Sequence, residues 1–289
     1  MLVSMLVSIQ MSMYSPDRHI GTRFFCFRYD IIVFPVFAGL LASFRPGKEL
    51  IRRGLSIDLD FSTMSLDNYT YLFSGNADSQ KYFMWYKNSL VITIVSVVLT
   101  LFICYFVAYG LTMYNYRLKN FLFFLVIATM MVPFEILMLP LYKEIIAIGL
   151  IDSYVGVIIT GLCSASTIFF FKQYLSGLPK DLLDAARIDG ATNIQLLLRV
   201  MVPLAKPGIA TITMLSAMGF WNEYPLALVL LTEDAKKTLP IGMANLFEVQ
   251  KYATDWGALF AGLVIVMIPT IIIYLIGQRY LLQGIGAGG

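Results

Sequence analysis

Residues 179–207 read PKDLLDAARIDGATNIQLLLRVMVPLAKP, a charged, helix-forming segment between two apolar runs of membrane grade. Pro179 stops the helix that precedes it. Asp181 is placed to serve as N-cap, its carboxylate accepting from a free first-turn amide. Asp184 follows three residues later, where an acid opposes the positive helix end. Asp189-Gly190 predicts a turn. Thr192 and Gln195 have the T-x-x-Q spacing of a capping box for a second helix, and Pro203 and Pro207 are expected to end it. Two capped helices meeting at a glycine turn between apolar spans form a compact elbow, an element suited to presentation to a partner.

The flanking sequence sets that elbow in a membrane. Of 289 residues, 58% are hydrophobic and 13% charged, where a soluble domain carries about 25% charged; mean hydropathy is +0.76. The net charge of +3, without a basic run, is too small to suggest a nucleic-acid partner. Cys26, Cys104 and Cys163 are far apart, each in an apolar stretch, and read as small buried residues without metal or disulfide spacing. His19 is the single histidine, which excludes histidine-based catalysis, and no G-x-x-x-x-G-K-[ST] loop is present. Any ATP chemistry therefore belongs to another chain.

Six apolar stretches follow in order: 30–44, 89–113, 121–142, 154–171, 208–231 and 257–282. Each approaches or exceeds the roughly 20 residues that cross a bilayer, apart from the short first one. Residues 1–29 read as a poorly ordered tail. Within it, 1–22 lack the basic start of a signal peptide and read as an extension. Between the first two stretches, Leu66–Phe73 suggests a small ordered cap in a polar loop. Pro133 and Pro140 lie in the third stretch, and WNEYP at 221–225 breaks the fifth. Gly257/Ala261 and Ala258/Gly262 in the sixth permit close helix packing. Trp85, Trp221 and Trp256 read as interfacial anchors. The fold class is thus all-α: a polytopic membrane protein with six transmembrane helices, both termini and the elbow sharing one side. Basic residues divide almost evenly between the two sides, with Arg117 and Lys119 tipping the elbow side towards the cytoplasm.

The residues of the elbow carry a resemblance. Asp184-Ala185-Ala186-x-x-Asp189-Gly190-Ala191, then Pro203-Leu204-x-x-Pro207, is similar to the EAA loop of binding-protein-dependent ABC importer permeases. Pro140-Leu141-Tyr142, Gly149-Leu150, Tyr154, Trp221-Asn222-Glu223, Thr238-Leu239-Pro240, Asp255-Trp256-Gly257 and Arg279-Tyr280 look like the carbohydrate branch, nearest the second permease subunit of maltose-like systems. The likeness is firm over about 80–289 and loose over 30–80. Asp184 stands where the family has Glu, an aliphatic residue stands near Leu197 where an aromatic is usual, and the chain stops at Gly289 where the family often continues a few residues past its final glycines.

That resemblance implies a sugar importer of a bacterial or archaeal cytoplasmic membrane. Its partners would be a second, non-identical permease, two ATPase subunits that bind ATP and Mg, an extracytoplasmic sugar-binding protein, and lipid. It places the elbow in the cytoplasm as an ATPase-coupling element made of Asp184, Ala185, Ala186, Asp189, Gly190, Ala191 and Pro203. Ala185 and Ala186 would keep one face thin, while Asp184 and Asp189 would meet basic or amide groups. No catalytic or metal-binding residue is expected in this chain. Glu135, Asn222 and Glu223, polar groups at membrane depth near proline breaks, are candidates for lining the translocation path. Competing readings are an importer of a sugar derivative such as glycerol phosphate and an ion-coupled secondary transporter. The latter would need internal repeats and its own ion site, and would leave the elbow without a role.

Overall fold

Long runs of Leu, Ile, Val and Phe leave backbone amides no partner in lipid except one another, so such segments form helices. A computed structural model describes residues 33–55, 63–74, 77–253 and 256–286. The expected tail 1–29, with His19 and Cys26, lies outside the described residues. Those described are helical, and no strand occurs among them. The helices are α1 (Val33–Ala42), α2 (Gly47–Arg53), α3 (Asp67–Phe73), α4 (Ala77–Met113), α5 (Lys119–Met130), α6 (Phe134–Ala147), α7 (Tyr154–Gly161) and α8 (Ala165–Ser176). They continue with α9 (Lys180–Ile188), α10 (Asn193–Leu204), α11 (Lys206–Trp221), α12 (Pro225–Leu230), α13 (Leu239–Ala253) and α14 (Trp256–Gly286).

The chain divides into two compact units. Of the described residues, those within 33–82 and 242–269 form one, and those within 83–241 and 270–286 the other. In the first, the cap anticipated at Leu66–Phe73 is ordered as α3. Asn68 Nδ2 donates to the carbonyls of Ser43 and Arg45 at 2.8 and 2.9 Å, and Tyr82 donates through its hydroxyl to Gly262 O at 2.9 Å. The small residues of α14 pack as expected. A Cβ on Gly257 would stand 2.6 Å from Arg45 O and from the Asn68 amide, so only glycine fits there.

Among the described residues, two helical segments are long and apolar enough to cross a membrane unaided: Lys81–Met113 and Trp256–Tyr280. Helix α4 begins at Ala77, well before the expected Ser89. Its polar first turns contain no breaker, and Asn88 fastens them to the 234–237 loop by donating to Ala235 O and Lys237 O, both at 2.9 Å.

The third apolar stretch is not one straight helix. Pro133, without an N–H, stands as N-cap of α6, and α5 and α6 are bent by 105° at the Met131–Pro133 break. Helices α7 and α8 bend by 43°, while the fifth stretch breaks after Trp221 as anticipated. Trp221 is buried rather than interfacial, with its ring edge-on to Tyr86 at 5.4 Å. Trp85 is buried too, its Nε1 donating to Asp234 O at 3.1 Å. Cys104 is buried as expected; Cys163, at the α7–α8 bend, is exposed.

Candidate functional site

The elbow is built from local rules. Helix α9 starts at Lys180 behind Pro179, so Asp181 falls in the first turn and is not the N-cap. Its carboxylate still opposes the positive helix end. Asp184 is exposed and paired with Arg187 Nη1 at 3.1 Å. At the far end Ala191 N donates to Ala186 O and Gly190 N to Arg187 O, both at 3.0 Å. With Gly190 at φ +81°, this is a Schellman closure, which an L side chain enters only under strain. The capping box forms as read: Gln195 N donates to Thr192 Oγ1 (3.3 Å) and Thr192 N to Gln195 Oε1 (2.9 Å).

Pro203 does not end the second helix. The Leu196–Met201 segment widens to a π-turn, and Val202 N donates to Leu197 O. The wider turn relieves the clash of the Pro203 ring with the carbonyl one turn back. The chain bends by 73° only after Leu204, and Pro207 opens α11.

Apolar packing fixes the elbow from below. Leu183, Leu196, Leu197 and Met201 are buried in one cluster with Tyr105 and Ala108 of α4 and Phe171 and Leu175 of α8. Leu197, near which an aromatic is usual, fills that cluster. Ala186 faces the same cluster, so Ala185 alone presents the thin outward side. Asp189, Gly190 and Pro203 are exposed, and Ala191 is half-buried. Ile188 and Ile194, on either side of the turn, are 87% and 69% exposed. Sequence reading missed this pair, although an isoleucine within two residues of each cap of a polar turn is the signal for it.

The polar groups anticipated at depth separate. Glu135 sits exposed in the first turn of α6. Asn222 Nδ2 turns back to Met218 O at 2.8 Å. Glu223 is half-buried; its Oε1 accepts from Leu226 N at 3.0 Å, and it lines a cleft of about 550 Å³. Three helix breaks converge on this cleft: Met130 ends α5, Gly161 and Ser164 flank the α7–α8 bend, and Gly219 and Phe220 lie in the last turn of α11 with Glu223 just beyond it. Ser166, Thr167 and Ser216 add hydroxyls, and Phe169 and Phe170 add rings. Thr100 on α4 approaches the carbonyl freed at Gly161 at a long 3.5 Å. The cluster CSAST at 163–167, polar within an apolar run, was the sequence signal for this site.

Away from these, Asp152 ties two loops together. It has φ +54°, and its N–H donates to Leu230 O at 2.9 Å. Its carboxylate accepts from the backbone of Thr232 and Glu233 and from Lys236 Nζ at 2.8 Å. The Glu233 amide first, then the Lys236 ammonium, hold the Asp152 carboxyl down at about 2. The same contacts, to Asp152 and to Glu233, raise the Lys236 ammonium above its ordinary value. Among the described residues no group of His, Cys, Asp and Glu is placed to hold a metal.

Known proteins resemble the chain over nearly its whole length. The arabinooligosaccharides transport system permease protein AraQ of Bacillus subtilis (strain 168) is 42% identical over 276 residues, 96% of each chain. The sn-glycerol-3-phosphate transport system permease protein UgpE of Brucella suis biovar 1 is 28% identical, covering 88% of this chain and 91% of that one. Among solved structures, a chain of a bacterial ABC transporter involved in the import of the acidic polysaccharide alginate superposes with a TM-score of 0.76. It is 26% identical, and the match covers 92% of this chain and 98% of that one. Residues 101–286 match the family described as binding-protein-dependent transport system inner membrane component. With the elbow, the broken apolar helices and these likenesses together, the chain belongs to that family of inner-membrane transport permeases.

Proposed function

We propose that this chain is a permease subunit of an ATP-driven oligosaccharide importer. The observation that carries this reading is the 42% identity to an arabinooligosaccharide permease across 96% of both chains. The chain forms half of the translocation path beside a second, non-identical permease. Two ATPase subunits and an extracytoplasmic sugar-binding protein complete the complex. ATP and Mg act on the ATPases, and this chain catalyses no reaction.

The elbow at 179–207 is the coupling element. Its anchored base and exposed Ile188 and Ile194 suit a helix-in-groove partner, for which Asp184, Ala185, Asp189 and Gly190 form the rim. In this reading the chain spans the membrane six times, with the elbow and termini cytoplasmic. The α5–α6 and α7–α8 pairs then serve as broken spans around the path, where irregular backbone lines a cavity.

Reconstitution tests it. The chain, its partner permease, the ATPases and the binding protein in proteoliposomes should take up arabinotriose only when ATP is supplied on the elbow side. A complex that accumulates glycerol phosphate and no oligosaccharide would favour the second reading, which the 28% identity to a glycerol-phosphate permease supports more weakly.

A further inference from the structure

The cleft where the three helix breaks meet has a composition that the importer reading does not by itself require. Its volume of about 550 Å³ lies within the roughly 300–1,000 Å³ of small-molecule sites. Hydroxyls of Ser164, Ser166 and Ser216 stand on its walls with the rings of Phe170 and Phe220. This pairing of apolar faces with donor–acceptor hydroxyls matches a sugar ring, which presents C–H groups on its face and hydroxyls around its rim. The Phe220 ring is set by Gly161, where a Cβ would come within 2.6 Å of it. Gly219 has open space in place of a side chain, so the floor of the cleft is kept clear.

The charge inside the cleft is one-sided. Among the described residues that line it, Glu223 is the single ionisable one, and neither Lys nor Arg is present. Among the described residues, the Glu223 side chain accepts one hydrogen bond, from Leu226 N to Oε1, which leaves Oε2 to accept from a ligand hydroxyl. An anion entering would meet this carboxylate without a compensating cation, in surroundings of low dielectric that magnify repulsion.

We propose that this cleft is a saccharide subsite of this chain itself, and that Glu223 makes it admit neutral sugars and reject anionic ones such as uronates and sugar phosphates. The inference rests on the oligosaccharide-importer reading.

The test uses the assembled complex with Cys163→Ala as background and Gly219→Cys as reporter, followed by maleimide labelling of the peptide that carries position 219. Arabinotriose at about ten times its Kd should slow labelling about tenfold. Trigalacturonate at the same concentration should leave the rate unchanged, and adding Glu223→Gln should let it protect. Ser216→Cys, on the same helix face, serves as reporter should Gly219→Cys assemble poorly. Separately, Gly219→Leu should abolish arabinotriose uptake by filling the cleft.

Equal protection by both sugars overturns the selectivity. Absence of protection by arabinotriose in a complex that transports it, or wild-type uptake by Gly219→Leu, overturns the subsite. A wild-type complex that takes up no neutral oligosaccharide refutes the importer reading instead, so the two failures are distinguishable.

Discussion

Gly190 separates a structural turn from a docking surface, because the two roles order its substitutions in opposite ways. At φ +81° with nothing within 4 Å of an added Cβ, a side chain there meets backbone strain but no clash. An alanine in the left-handed region costs about 1–2 kcal/mol. Lower entropy of the unfolded chain returns about 0.4–1 kcal/mol of this, leaving a net cost near 1 kcal/mol, roughly fivefold in the population of the closed turn. Asn and Asp tolerate this region better than alanine, since their short polar side chains bond locally.

On backbone grounds alone the order of function is therefore Asn, then Asp, then Ala. If a partner closes over the turn, bulk and charge dominate and the order becomes Ala, then Asn, then Asp. The assay is ATP-driven arabinotriose uptake by the reconstituted complex, with co-purification of the ATPase measured in parallel. The coupling reading expects Gly190→Ala to retain at least about a fifth of wild-type uptake, and Gly190→Asp to lose both uptake and the ATPase. Asp and Asn outperforming Ala, with the ATPase retained, would refute the docking argument and leave Gly190 as a helix stop.

Leu196→Ala, in the buried base of the elbow, should destabilise the complex by about 2–5 kcal/mol. Exposed Ile188→Ala should stay within about 0.5 kcal/mol and yet weaken ATPase association; thermal unfolding and pull-down measure the two. Asp152→Ala should cost about 1–2 kcal/mol, because water screens a loop pair whose carboxylate is partly open. The folded pKa of Asp152 lies below its ordinary 3.8, so its contribution is complete above pH 4 and is lost as pH falls through about 2. Acid unfolding of wild type and variant should converge there. Gly161→Ala should push the Phe220 ring from its seat and lower uptake several-fold with little loss of stability, read by comparing transport with melting.

Local chemistry was legible and long-range juxtaposition was not. The Thr192–Gln195 box and the Gly190 turn each depend on residues three or four apart, so spacing alone specified them. Asp181 failed as a cap because Pro179, already fixed near φ −58° and extended, begins the helix two residues earlier than an Asp181 cap would place it. Pro133 was visible as a break, but the 105° bend depends on what packs beside it. Trp221 read as an interface residue because it ends an apolar run, and Tyr86, distant in sequence, covers it. The cleft hydroxyls come from α4, the α7–α8 bend and α11, and no periodicity links them.

The elbow and the cleft nevertheless share their helices, and this sets how one can act on the other. Helix α8 carries Ser166 and Phe170 at the cleft and Leu175 in the elbow's base. Helix α11 leaves the elbow at Lys206 and reaches the cleft at Phe220. Near the elbow the two are locked, since a Cβ on Gly208 would stand 3.0 Å from the Tyr174 ring. Packed side chains resist gradual deformation, so a force on the elbow moves both helices as a block. The 16 residues of α11 span about 24 Å, and a tilt of ~10° at its base carries the far end about 4 Å by the same geometry. That is comparable to the width of a sugar ring. In the importer reading, a displacement of this size at Phe220, Gly219 and Glu223 would change the opening of the cleft without any change in secondary structure.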